Sequence, residues 1–352
     1  MKILKRDRSF LLLLTTFTLL FFLTSAAVLI KFGTGFAAEF TDSVLRPILG
    51  NTTVGFMEKV YFNSADKIQQ LTNSKGSVPQ FANSGGEIKE GLWHNRPLPQ
   101  FPGQNVMAET FVRPDPSRPF AYVTLAQIDM SAMSLGVVAG TSQPGGPIGN
   151  FGPGKIPADI LNSGNLVAAF DGGFQYRDGE YGMIVDGRTY VPLKQDVGTL
   201  VGYKSGGLRI INYTGQDLGT NVDFVRQNCP LLVENGQVFA ANETNKKLWG
   251  RTFNSDIYTW RSGIGLTQNG NLIYAVGNNL SPETLAIALK DAGAINAIQL
   301  DINPFWVRFN IFKPNGFGGY ATSTLTKDLK DGSKAYLTSY SKDFFYLYKR
   351  QS

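Results

Sequence analysis

Residues 261–309 read RSGIGLTQNGNLIYAVGNNLSPETLAIALKDAGAINAIQLDINPFWVRF, and the fold turns on them. Two β-prone apolar runs, Asn271–Val276 and Ile295–Leu300, flank a segment with helical signals. Ser281 suits an N-cap, Pro282 the first helical position and Gly293 a helix stop. Leu285, Leu289 and Ala292 then fall on one face at helical spacing, with Ala288 beside them. Strand, helix and strand in this order predict a crossover whose two strands are parallel neighbours. Asp301 then lies just past the carboxyl end of the second strand, where open α/β sheets place their chemistry.

Upstream, residues 166–186 read LVAAFDGGFQYRDGEYGMIVD, another apolar strand running into an acid, Asp171, and then Gly172 and Gly173. Paired glycines allow a sharp turn and a close approach to the main chain. Asp186-Gly187, Asn235-Gly236 and Asn269-Gly270 each sit between β-prone runs, the pairs that type I′ hairpin turns prefer. Phe120–Ile128 reads as the first strand of the main domain and Asp343–Tyr348 as the last. Pro157–Asn162, stopped by Gly164, reads as a short helix. The expected fold is α+β: a mixed, mostly antiparallel sheet with a few helices and one strand-helix-strand crossover.

The AAFDGGF block, RSGIG followed by an Asn-Gly turn, the run LSPETLAIALKDAGAINAIQLD and the segment RQNCPLLVENGQ together resemble the phosphodiester glycosidase family. The resemblance runs from about Phe111 to the C-terminus. It implies a hydrolase that cleaves the sugar–phosphate bond of a glycosyl phosphodiester, with no cofactor and a glycan or glycosyl-phosphate partner. The family usually has Asn-Gly-Gly-Phe where this chain has Asp171-Gly172-Gly173-Phe174. It usually has Leu-Asp-Gly-Gly-Gly-Ser where this chain has Leu300-Asp301-Ile302-Asn303-Pro304-Phe305, a stiffer and bulkier lip.

Cleaving such a bond builds positive charge on the sugar ring and leaves negative charge on phosphate. Asp171 and Asp301 are the candidate catalytic carboxylates. Arg261 is the candidate phosphate grip, with Ser262 in the same block, the Gly172 and Gly173 N–H groups, and Asn303 as a sugar or water ligand. Each has a plainer alternative: Asp171 as a turn cap, Asp301 satisfying strand-end amides, Arg261 as a surface ion pair. Trp306 and Phe305 either stack on a sugar or fill the core, and the core is the simpler role. A carbohydrate-binding or structural envelope protein on the same fold is the alternative to an enzyme.

The N-terminus is basic, and Phe10–Ile30 carries no charge over 21 residues, roughly 31 Å as a helix and enough to cross a bilayer core. A cleaved leader usually has a shorter apolar core, about 7–15 residues. The expected order is a basic tail (1–8), a transmembrane signal-anchor (9–31), a juxtamembrane stalk and linker (32–110) and an extracytoplasmic domain (111–352). The tail, with four bases and one acid, supplies +3 of the formal net charge of +6. The dispersed remainder does not suit nucleic acid. One cysteine, Cys229, excludes an intramolecular disulfide, and one histidine, His94, excludes histidine-cluster metal sites. Residues 149–155, GNFGPGK, imitate a phosphate-binding loop, but Ile156 replaces the Ser/Thr that would hold magnesium.

Overall fold

The computed structural model describes residues 48–50, 53, 78–82, 88–240, 249, 258–302 and 304–350. The apolar span Phe10–Ile30 and Asn303 lie outside them. Among the described residues, no helix is long and apolar enough to cross a membrane. The chain divides into Met1–Tyr61, of which residues 48–50 and 53 are described and helical, and Phe62–Ser352, which holds every element below.

The largest sheet has the spatial order β1 (His94–Asn95), β2 (Met107–Val112), β3 (Val123–Ile128), β14 (Leu272–Leu280), β13 (Thr259–Thr267), β15 (Ala294–Ile302), β11 (Leu231–Glu234), β12 (Gln237–Val238). A second sheet runs β7 (Arg188–Val191), β6 (Met183–Val185), β10 (Val222–Gln227), β8 (Val197–Tyr203), β9 (Leu208–Tyr213). A third runs β17 (Tyr320–Thr324), β16 (Phe309–Pro314), β5 (Leu166–Asp171), β18 (Phe344–Lys349), β4 (Met133–Val138).

Among the described residues every strand pair is antiparallel, so the sheets are not mixed. The expected crossover exists in altered form. β13 forms a hairpin with β14 and also pairs with β15 on its other edge, so β14 and β15 run parallel with β13 between them. A short turn lets β13 claim the edge of β14 before the helix crosses over.

That helix, Pro282–Asp291, is set by local chemistry. The Ser281 side chain accepts from Thr284 N at 3.0 Å, and the Thr284 hydroxyl accepts from Ser281 N at 2.8 Å, a reciprocal cap. Leu285, Ala288 and Leu289 are buried against Leu125, Ile273 and Ala275 on one face of the large sheet. The alternate residues Ala126, Tyr274 and Ile264 face the other way and pack with Phe170, Phe309 and Phe345 of the third sheet. Phe170 stacks on Phe309 and on Phe345 with ring centroids 5.5 Å apart, and these aromatics floor the region where β5 ends.

Asp186-Gly187 and Asn235-Gly236 take positive φ at both residues, as type I′ turns require. At Asn269-Gly270 only the glycine does (φ 80°), so that hairpin uses a longer turn. The short helix forms as Ala158–Ser163, with Gly164 left-handed at φ 73°. The last strand, Phe344–Lys349, is interior to its sheet rather than at an edge. The ordered domain starts upstream of Phe111. β1 and β2 join the large sheet, and Leu98, Phe101 and Val106 are buried. The polar, Pro-rich composition of Asn73–Gln104 conceals these anchors.

Candidate active site

β5 comes from the third sheet, and β13, β14 and β15 from the largest. Where they meet, Asp171, Ser262, Tyr274 and Asp301 converge, all buried. Asp171 Oδ2 accepts from Ser262 Oγ at 2.5 Å and from the Asp301 N–H at 3.2 Å. Its Oδ1 accepts from Tyr274 OH at 2.8 Å and from the Arg308 N–H at 3.1 Å. A carboxylate offers about four acceptor positions, and these four bonds use them. Burial, and then the charge of Asp301, push the Asp171 carboxyl up to about 6.

Asp301 is less saturated. Its Oδ1 accepts from the Ile302 N–H at 2.8 Å and its Oδ2 from Lys342 Nζ at 2.5 Å. Burial raises its pKa, with the Lys342 charge opposing. Burial, the largest single influence, would lower Lys342, but the Asp301 charge and hydrogen bond together with the neighbouring Tyr340 and Asp343 outweigh it, and the ammonium titrates above its ordinary range. Lys342 Nζ also lies 4.4 Å from the centre of the Trp306 ring.

A second buried ion pair lies behind the first. Arg226 Nε donates to Asp343 Oδ2 at 2.9 Å, and its terminal nitrogens donate to Gln227 O and Phe174 O at 2.7 Å. The Gly173 N–H donates to the same Asp343 oxygen at 3.1 Å. Asn228 completes the bracing: its Oδ1 accepts from Phe174 N, and its Nδ2 donates to Gln299 O and Leu300 O. Together these bonds pin the second and third sheets to the end of β15.

Several expected roles change. Arg261 does not reach the site. Its guanidinium donates to Leu280 O, Trp249 O and Gln299 Oε1 on the helix face of the sheet, and burial lowers its pKa to about 10. Adjacent strand residues point to opposite faces, so Ser262 enters the site and Arg261 leaves it. The glycines serve packing: a Cβ on Gly172 would run into Asp343, and one on Gly173 would come within 2.7 Å of Arg226. The Gly173 N–H is engaged by Asp343 and is not presented to a ligand. Phe305 and Trp306 are half-buried rather than core, lying under the ammonium groups of Lys330 and Lys342. Cys229 is fully buried, and burial pushes its thiol up to about 12, which fits a packing residue. Among the described residues no group of three His, Cys, Asp or Glu could hold a metal ion.

Lys342, Asp343, Arg226, Tyr274 and Arg308 belong to the site without having been singled out from the sequence. An open cleft of about 380 Å³ is lined in part by Val276, the cross-strand partner of Ser262, while Asp171, Ser262, Tyr274 and Asp301 are not among its lining residues. Trp260, Asn278, Thr326, Asp328 and Leu329 also line this cleft.

No curated protein matches the chain. Among solved structures it is similar to the zebrafish N-acetylglucosamine-1-phosphodiester alpha-N-acetylglucosaminidase catalytic domain auto-inhibited by its pro-peptide. Identity is 12%, with a TM-score of 0.43, over 74% of this chain and 88% of that one. A Synechocystis protein gives 13% identity and a TM-score of 0.37, over 70% and 62% of the two chains. A Burkholderia pseudomallei protein gives 11% and 0.28, over 65% and 74%. Residues 164–301, which carry Asp171, Arg226, Asn228, Ser262, Tyr274 and Asp301, match the family model of the phosphodiester glycosidases.

Proposed function

We propose that the chain is an exported, membrane-anchored hydrolase that cleaves the sugar–phosphate bond of a glycosyl phosphodiester in a cell-envelope or extracellular glycan. The observation that carries this reading is the convergence of Asp171 and Asp301, from two sheets, with the Asp301 N–H donating to the Asp171 carboxylate. The family match over residues 164–301 supports the same chemistry. Trp260, Asn278 and Asp328 suit a sugar, which needs an apolar ring face and hydrogen-bonding groups around it.

In this mechanism Asp301 is the catalytic carboxylate. Its raised pKa suits a base that takes a proton from the attacking water. Water oxygen bonds to the anomeric carbon as the bond from that carbon to the phosphate oxygen breaks, releasing free sugar and a phosphomonoester. Phosphate leaves as a stable anion and needs no general acid. Asp171, with every acceptor position occupied, acts by holding the Asp301 backbone and Ser262 in place. The uncharged Phe10–Ile30 span and its basic flank support an anchor with the domain outside.

The test is sugar release by the full-length chain from a panel of nucleotide-sugars and alkyl glycosyl phosphates. Turnover of at least one of them is the expected result. Saturable glycan binding without any turnover would replace the enzyme with a binding module.

A further inference from the structure

We propose that Arg308, with Lys330 beside it, forms the phosphate subsite of this chain, on the lip that follows Asp301 rather than at Arg261. The identity of the ligand rests on the glycosyl phosphodiester reading above; the placement of an anion rests on the geometry. Arg308 is only 6% exposed, and its Nε is buried with no hydrogen-bond partner. The other buried cations are satisfied. Arg96 pairs with Glu109 at 2.6 Å, Arg226 with Asp343 at 2.9 Å and Lys342 with Asp301 at 2.5 Å, while Arg261 donates to carbonyls and a side-chain amide. Among the described residues Arg308 has no ion pair; its guanidinium lies 5.5 Å from the centre of the Tyr340 ring. A buried charge without a counter-ion costs several kcal/mol, which marks the place where an anion is expected.

A second cation reinforces the first. Lys330, half-buried with its ammonium 4.8 Å from the Phe305 ring centre, has its pKa lowered to about 8 by burial and then by the charge of Arg308. No carboxylate pairs with Lys330 among the described residues, so two cations stand together uncompensated. Gly332 lets the loop close over Arg308, since a Cβ there would come within 2.6 Å of its Cδ. Lys342, neutralised by Asp301, links this lip to the reacting carboxylate.

The charge count also suits the chemistry. A phosphodiester carries one negative charge, and the phosphomonoester that leaves carries close to two. Two unpaired cations therefore favour the departing group over the bound substrate, which is the difference that accelerates a reaction.

The test is a titration of the full-length chain with inorganic phosphate, followed by calorimetry and thermal shift, on wild type, Arg308→Gln, Arg308→Lys and Lys330→Met. Phosphate should bind the wild type, and Arg308→Gln should weaken it about tenfold or more, the loss of a charged hydrogen bond. Arg308→Lys should fall between, and Lys330→Met should weaken binding several-fold; chloride should not compete. Phosphate should also raise the pKa of Lys330, read by its pH-dependent acylation, an effect absent in Arg308→Gln. Because Arg308→Gln removes an unpaired buried charge, its melting temperature should hold or rise; Lys330→Met, on a loop, tests the site independently. Equal phosphate affinity in Arg308→Gln and wild type, or wild-type binding no tighter than chloride, would overturn the subsite. Phosphate binding that depends on Arg308 without any sugar release keeps the subsite and removes the hydrolase. Phosphodiester turnover indifferent to Arg308→Gln and to added phosphate does the reverse.

Discussion

Asp301→Asn should lower the rate of sugar release by about 10²–10⁴-fold, the usual contribution of a positioned acid–base group. Asparagine keeps the size of the side chain and an oxygen to accept the Ile302 N–H, but it cannot take a proton from water. It also removes the counter-charge of Lys342, so some stability goes with it; Asp301→Asn combined with Lys342→Met separates that loss from the chemistry. Initial rates beside far-UV circular dichroism make the measurement. Asp171→Asn should behave differently, because Asp171 acts through the Asp301 N–H and Ser262, and asparagine is the usual family residue there. A modest rate loss is expected. Undiminished activity in Asp301→Asn would take this residue out of the mechanism.

Asp343→Ala should destabilise the domain by about 3–5 kcal/mol, the range for stranding one member of a buried ion pair. Arg226 is fully buried, and its fork is held by Asp343 together with Gln227 O and Phe174 O. Removing the carboxylate also strands the Gly173 N–H. Replacing both partners, Arg226→Leu with Asp343→Leu, should cost less than Asp343→Ala alone, since no buried charge remains. Urea unfolding midpoints decide the matter; a cost below about 1 kcal/mol for Asp343→Ala would mean that the pair does not brace the sheets.

What could be read from sequence follows the range of the interaction. The cap on Pro282–Asp291 and the two type I′ turns involve residues close in the chain, and their chemistry is visible in a few letters. The meeting of Asp171 with Asp301 was accessible through the resemblance. The role of Arg261 was not: alternation sets it opposite Ser262, but the Leu280 and Trp249 carbonyls and the Gln299 amide oxygen that take up its guanidinium are brought to it only by the assembled sheet. Arg226 and Asp343 are 117 positions apart, and nothing local in RQNCP or SKDFF announces that they pair. Arg308 left one trace, a lone base inside the apolar run FWVRF, which is what a buried cation looks like before its surroundings are known. β1 and β2 were hidden by a polar, Pro-rich context whose few apolar residues become anchors only when the large sheet is assembled.

The most direct test of the account is the position of bond cleavage. A glycosyl phosphodiester turned over in water enriched with ¹⁸O, with the phosphomonoester product taken for mass spectrometry, reads out which bond has broken. Attack on the anomeric carbon, with Asp301 accepting the proton, predicts a phosphomonoester free of ¹⁸O. Label in the phosphate would mean attack at phosphorus and would contradict the glycosidase mechanism.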